Sequence, residues 1–181
     1  MEDAGRVDPK IYVADLAAYN MGTLHGCWVD LSIDTTVDEV QSAIAAMLEE
    51  SPALPDVVAE EYAIHDHEGF HGYHLEEHEH LETVVKVAAF IAEHGELGAK
   101  LVNVSYDVDE AQEALTSRYA GCGTSLSDWV EEHLTDTGQL ESIPEQWRRY
   151  IDFGAYANDL ELGGDIFTVA VGADIHVFWT T

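Results

Sequence analysis

The sequence predicts an α+β fold laid out as an elongated chain of three small domains. These are a mixed sheet and helix N-terminal domain (1–60), a helical middle domain (61–100) and an α+β C-terminal domain (101–181). Short β-type runs stand at both ends of the chain, and amphipathic helical patterns fill the space between them. The 181 residues carry 36 acids against 7 bases, a formal net charge of −29, with 46% hydrophobic residues. That is enough apolar material for a core, but the charge repels itself and favours a spread chain over one ball. From Ile11 to Val85 there are sixteen Asp and Glu and not one Lys or Arg. Because these acids are mixed with core-forming runs, they belong to a folded, one-signed surface and not to a disordered tail.

Residues 1–10 read as a loose leader. Ile11 to Ala14 and Gly26 to Leu31 read as two strands joined through an Asn20-Met21-Gly22 turn. Thr36 caps a helix, with Glu39 completing a capping box; Val37, Val40, Ile44, Met47 and Leu48 share one face before Ser51-Pro52. Asp38 and Glu39 suit the first turn of that helix, whereas Glu49 and Glu50 gain nothing at its far end. After Pro55, Tyr62 to Asp66 opens a second region holding six of the ten histidines, His65 to His80. Leu81, Val84, Val85, Ala88, Ile91 and Ala92 mark an amphipathic helix closed by Gly95.

Leu101 to Tyr106 reads as a strand. It leads to a helix capped by Asp107, with Glu110 in the box position and Val108, Ala111, Leu115 and Tyr119 facing inward, ended by Gly121-Cys122-Gly123. A further helix buries Leu126, Trp129, Val130, His133 and Leu134. On another face Asp128, Glu132 and Asp136 stand four apart, an arrangement that costs a helix roughly 0.2–0.5 kcal/mol per like-charged pair. Pro144 starts a short helix bearing Arg148 and Arg149, and Asp152 to Leu160 forms another before Gly163-Gly164. Ile166 to Val171 and Ile175 to Trp179 make a hairpin over Gly172-Ala173-Asp174, more apolar than a small exposed edge should be.

The chemistry implied by these residues is electrostatic. There is no nucleotide-binding glycine loop, no Gly-x-Ser-x-Gly elbow, and no basic neighbour in sequence to activate Cys122. So many carboxylates are present that no single pair stands out as an acid/base couple. Trp28, Trp129 and Trp147 fit strand or helix interiors and read as core. The spacing of His67 with His71 and of His74 with His78 suits two imidazoles on one helical face. Glu68, Glu76, Glu77 or Glu79 would complete a zinc shell, although Gly69 and Gly72 interrupt the first pair. No cofactor or catalytic residue is predicted.

The first twenty residues lack an apolar signal core, and no stretch reaches the roughly 18 apolar residues of a membrane span, so the chain reads as unprocessed and soluble. Two cysteines, Cys27 and Cys122, are too few for a disulfide framework and point to a reducing cytoplasm. The sign of the charge argues against nucleic acid or an anionic membrane as a direct partner and in favour of a basic one. The candidate partner-binding acids are Asp15, Asp30, Asp34, Glu49, Glu50, Glu60, Glu61, Asp66, Glu68, Glu76, Glu77 and Glu79. Further along the chain they are Asp109, Glu113, Asp128, Glu131, Glu132 and Asp136.

Ile11-Tyr12-Val13-Ala14-Asp15-Leu16, Tyr19-Asn20 and Leu24-His25-Gly26-Cys27-Trp28-Val29-Asp30 resemble the opening of the ArdA antirestriction family. Ile64-His65-Asp66-His67-Glu68-Gly69-Phe70 is similar to that family's middle block. Tyr150 to Leu160 together with His176-Val177-Phe178 is similar to its C-terminal block. Cys27 stands where many members have a basic residue, and the histidine enrichment after Phe70 is particular to this chain. The resemblance implies a non-catalytic DNA mimic associated with mobile genetic elements. It implies a curved, elongated, three-domain homodimer, paired through its C-terminal domains. Such a dimer would fill the DNA groove formed by the specificity and modification subunits of a type I restriction-modification enzyme, blocking DNA binding, restriction and modification. The charge fits this in magnitude, since 29 negative charges match roughly 50 Å of duplex at about 1.7 Å per charge. Two other classes stay open on sequence grounds: a metal-dependent enzyme built on His65–His80, and an acidic protein of halophile type with an unrelated function.

Overall fold

The computed structural model describes residues 8–181, so most of the expected leader lies outside the described residues. The chain is mixed α+β and divides into two compact units, Met1–Val108 and Asp109–Thr181. Each unit holds one three-stranded antiparallel sheet.

In the first unit, β1 (Lys10–Asp15) lies between β2 (Gly26–Asp30) and β3 (Tyr62–Glu68). Strand alternation sends Ile11, Val13 and Val29 into the core, all at 9% exposure or less, and sends Lys10, Tyr12, Trp28 and Asp30 to the other face. A bulge between Tyr12 and Val13 shifts the β3 register, so Tyr12 faces Asp66 while Val13 faces Ile64. The turn expected after β1 contains a short helix, α1 (Leu16–Asn20), before Gly22 turns the chain at φ 83°. Helix α2 (Val37–Glu49) begins with the expected capping box: Thr36 accepts from the Glu39 amide, and the Glu39 carboxylate accepts from the Thr36 amide at 2.8 Å. Val40, Ile44 and Met47 are buried on the face that α2 presents to β1, β2 and the long helix that follows β3.

Helix α3 (Leu81–Ser105) corrects the sequence reading at two points. Gly95 does not end the helix; it breaks it, at φ 60° and ψ −142°, and a second helical segment continues. Leu101 to Ser105 is therefore helical and not a strand. Gly98, Ala99, Leu101 and Val102 are buried on the continuing helix, and Tyr106 closes it in the left-handed conformation. Burial at helical spacing outweighs the β preference of Val102 and Val104. The expected domain boundary after residue 60 falls just before β3, which pairs with β1, and the boundary after residue 100 falls inside α3.

In the second unit, α4 (Val108–Glu113) passes into a single π-helical turn at Ala114–Arg118 and then into β4 (Tyr119–Gly123). Tyr119 to Gly123 was expected to finish a helix, but it is a strand. Its glycines serve close packing, since a Cβ on Gly121 or Gly123 would lie 3.2 Å from Trp129 atoms, and the Trp129 indole N–H donates to the Ala120 carbonyl at 3.1 Å. Glu110 pairs with Arg118. After α5 (Leu126–Asp136) come a 3-10 turn at Leu140–Ser142, α6 (Glu145–Arg148) and α7 (Phe153–Gly163). The hairpin of β5 (Ile166–Val171) and β6 (Asp174–Trp179) ends the chain. The sheet order is β4-β6-β5, so the apolar β6 is central and β5 is an edge. Trp129, Val130, Leu134, Leu140, Ala157, Ile166 and Val177 form the buried cluster on one face of this sheet.

Candidate acidic interaction surface

Of the eighteen acids singled out from the sequence, sixteen are exposed, Glu79 is half-buried and Asp15 is fully buried. Asp15 is therefore corrected from a surface residue to a structural one. It caps α1, one carboxylate oxygen accepting from the amides of Ala17 (2.9 Å) and Ala18 (3.2 Å), while the other accepts from the Ser51 hydroxyl. A buried carboxylate persists when its oxygens are met in this way.

The first unit carries Asp30 on β2, Asp34 ahead of α2, Glu49 and Glu50 at the end of α2, and Glu60 and Glu61 leading into β3. Asp66 and Glu68 lie on β3 itself. The loop after β3 folds back, with the Ile64 amide donating to the Glu77 carbonyl at 2.8 Å, and so brings Glu76 and Glu77 alongside His65 and His67. Those residues, with Tyr19, His74 and Leu75, line an open cleft of about 570 Å³.

In the second unit, Asp109 and Glu113 are exposed on α4, and Asp128, Glu131, Glu132 and Asp136 are exposed on α5. Helix α5 is divided cleanly, since Trp129, Val130 and Leu134 are buried beneath an outer surface that offers only carboxylates and hydroxyls around Thr135. The hydroxyls of Thr124 and Ser125 hold the Asp128 carboxyl below its ordinary range, and contact with the Thr36 backbone, then its hydroxyl, does the same for Glu39. Both groups are thus firmly anionic at neutral pH.

Several of the bases are taken up by the protein's own groups. Lys10 pairs with Glu68 at 2.8 Å, Lys100 with Glu96 at 2.6 Å, and Arg118 with Glu110. Arg148 donates to the carbonyls of Ile143 and Glu141, and Arg149 stacks on Tyr150 at 4.9 Å. Little positive charge is left to oppose the carboxylates.

The histidine-rich segment is not a helix. His67 lies on β3 and His71 in a turn at φ 47°, so the i, i+4 geometry behind the zinc reading does not form, and His74 and His78 lie in the irregular loop. Among the described residues no group of three His, Cys, Asp or Glu converges on a metal-sized point. No helix among the described residues is long and apolar enough to cross a membrane.

Trp129 is in the core at 3% exposure as expected, but Trp28 and Trp147 are 41% and 57% exposed. Trp28 stands two residues from Asp30 on β2 and shares its outward face, so its exposure follows from alternation with the surface acid, whereas nothing local marks Trp147 as outward. Asp38, Glu82, Asp159 and Glu161, outside the predicted set, are exposed as well, so the acidic surface is broader than the sequence reading made it.

Among curated proteins, none matches the chain. A family model described as antirestriction protein (ArdA) matches residues 11–174 of the 181. That match covers both units, and the chain accordingly belongs to the ArdA family of antirestriction proteins.

Proposed function

We propose that the protein inhibits type I restriction-modification enzymes by occupying the DNA-binding groove of their specificity and modification subunits with its exposed carboxylates. Family membership implies an antirestriction role exercised on restriction enzymes by an inhibitor that is not itself an enzyme. The observation that supports the mechanism is the surface: sixteen of the eighteen candidate acids are exposed, on folded elements, with much of the basic complement already neutralised within the protein. Lys and Arg side chains that hold phosphates accept carboxylates by the same charge-assisted hydrogen bonds. Binding is then a competition with DNA, with no turnover, and it blocks restriction and modification together because both require DNA in the same groove. In this reading the inhibitor is a homodimer, which sedimentation at working concentration tests.

The decisive experiment titrates the protein into a purified type I enzyme bound to labelled duplex. Displacement of the duplex with competitive kinetics, and parallel loss of methylation and cleavage, is the expected result. An enzyme–DNA complex that keeps its duplex at saturating inhibitor would overturn the groove-occupation mechanism.

A further inference from the structure

The outer face of the first unit's sheet is more than a set of acids. Strand alternation and register put Asp30, Lys10 and Glu68 on one rung and Trp28, Tyr12 and Asp66 on the next, all on the face opposite the buried Ile11, Val13 and Val29. The Tyr12 and Trp28 rings lie 5.5 Å apart at 59°. Gly26 packs closely beside them: a Cβ there would stand 2.3 Å from the Val13 carbonyl oxygen and 2.8 Å from Tyr12 Cζ and Oη, so any other residue would disturb both the strand and the ring. A cation already sits on the aromatic pair. Lys10 Nζ is 4.7 Å from the centre of the Trp28 ring and 2.8 Å from the Glu68 carboxylate.

Resting on the proposed groove-binding function, we infer that this sheet face is the seat of an arginine from the enzyme's phosphate-holding surface, and that Lys10 keeps the place in the free protein. A guanidinium fits the site better than the resident ammonium does. Its flat face stacks on Trp28 while its edges reach two carboxylates among Asp30, Asp66 and Glu68, which the compact Lys head cannot do at once. DNA offers phosphate alone to that arginine. The protein would offer carboxylate and an aromatic face together, and so gain affinity that charge imitation by itself does not give.

Trp28→Leu leaves the net charge untouched, so charge imitation alone predicts unchanged inhibition. The seat predicts a loss of roughly 3- to 30-fold, the range of a cation–aromatic contact. Lys10→Met and Lys100→Met each remove one positive charge, and Lys100 lies on α3 and not on the sheet. The seat predicts tighter inhibition by the first than by the second, whereas charge alone predicts equal gains. Both variants keep the aromatic pair, so this comparison stands even where Trp28→Leu fails to fold. Equal inhibition by wild type and folded Trp28→Leu, with equal gains from the two lysine variants, would overturn the seat and leave groove occupation intact. If the wild-type protein displaces no DNA, the functional reading fails on its own. A hexa-arginine peptide titrated against the protein then decides the seat. Perturbation of the Trp28 indole resonance ahead of those of Trp129 and Trp147 supports it, and simultaneous or absent perturbation overturns it.

Discussion

Asp15 and the surface acids show that the same side chain does opposite work according to burial. Asp15 is fully buried and ties the start of α1 to Ser51, 36 positions away, so its value lies in the hydrogen bonds it satisfies. Asp15→Ala leaves two amides and a hydroxyl without their partner and is expected to cost about 1–3 kcal/mol in denaturant unfolding, with inhibition per folded molecule unchanged. An exposed acid away from the first unit's sheet, such as Glu49 or Glu50, should show the reverse pattern, little effect on stability and little on inhibition singly, because many weak contacts share the binding energy. A third kind of residue is His176. Its Nδ1 stands 3.0 Å from the Tyr119 hydroxyl, which burial, then contact with Cys122, pushes up to a pKa of about 12, so the phenol remains a donor at neutral pH. Burial lowers the His176 pKa below its ordinary 6.5, so the fold prefers the neutral ring. The contribution is present above the unfolded pKa and is lost as pH falls through 6.5 toward the folded value. Thermal unfolding at about pH 7.5 and pH 5.5 should show a smaller pH-dependent loss in His176→Gln than in wild type, and an equal loss in both would remove this assignment.

At the level of elements, α5 exposes the conflict between stability and binding most plainly. Asp128, Glu132 and Asp136 repel one another at successive i, i+4 positions, and all are exposed. Glu132→Lys relieves both contacts and should stabilise the second unit by a few tenths of a kcal/mol while weakening inhibition, so denaturation and inhibition assays should move in opposite directions. In α3 the break at Gly95 uses a backbone conformation that side chains rarely adopt. Gly95→Ala should therefore cost about 1–3 kcal/mol in unfolding even though nothing lies within 4 Å of the added methyl. The elements legible in the sequence were those whose signals are local. Thr36 and Glu39 announce the start of α2, Asp152 that of α7, and the alternation of Ile166 to Trp179 the hairpin. The misread ones depend on distant partners. Leu101 to Ser105 is helical because of what it buries, and Tyr119 to Gly123 is a strand because β6 pairs with it and Trp129 packs beneath its glycines. The acids of the candidate surface were legible for the same local reason, since sixteen of them have no apolar alternative to solvent. Asp15 was misplaced because only tertiary packing decides on which side it falls, whereas the outward side of Trp28 follows from its place two residues before the surface acid Asp30.

The molecule as a whole keeps its charge against the interest of stability. A net charge of −29 on 181 residues destabilises any compact fold through self-repulsion, and several of the bases present are held by the protein's own carboxylates, carbonyls or an aromatic ring. That arrangement is intelligible if the partner supplies the counter-charge, as the DNA groove of a restriction enzyme does. Such binding is screened by salt, because exposed charges interact only over about one Debye length, roughly 8–10 Å at physiological ionic strength. The most direct measurement is therefore the inhibition constant against a type I enzyme across a salt series. The apparent affinity should fall by about tenfold or more between roughly 50 and 200 mM salt, measured at fixed enzyme–DNA occupancy. An inhibition constant that stays flat over that range would contradict the claim that these carboxylates take the place of phosphates.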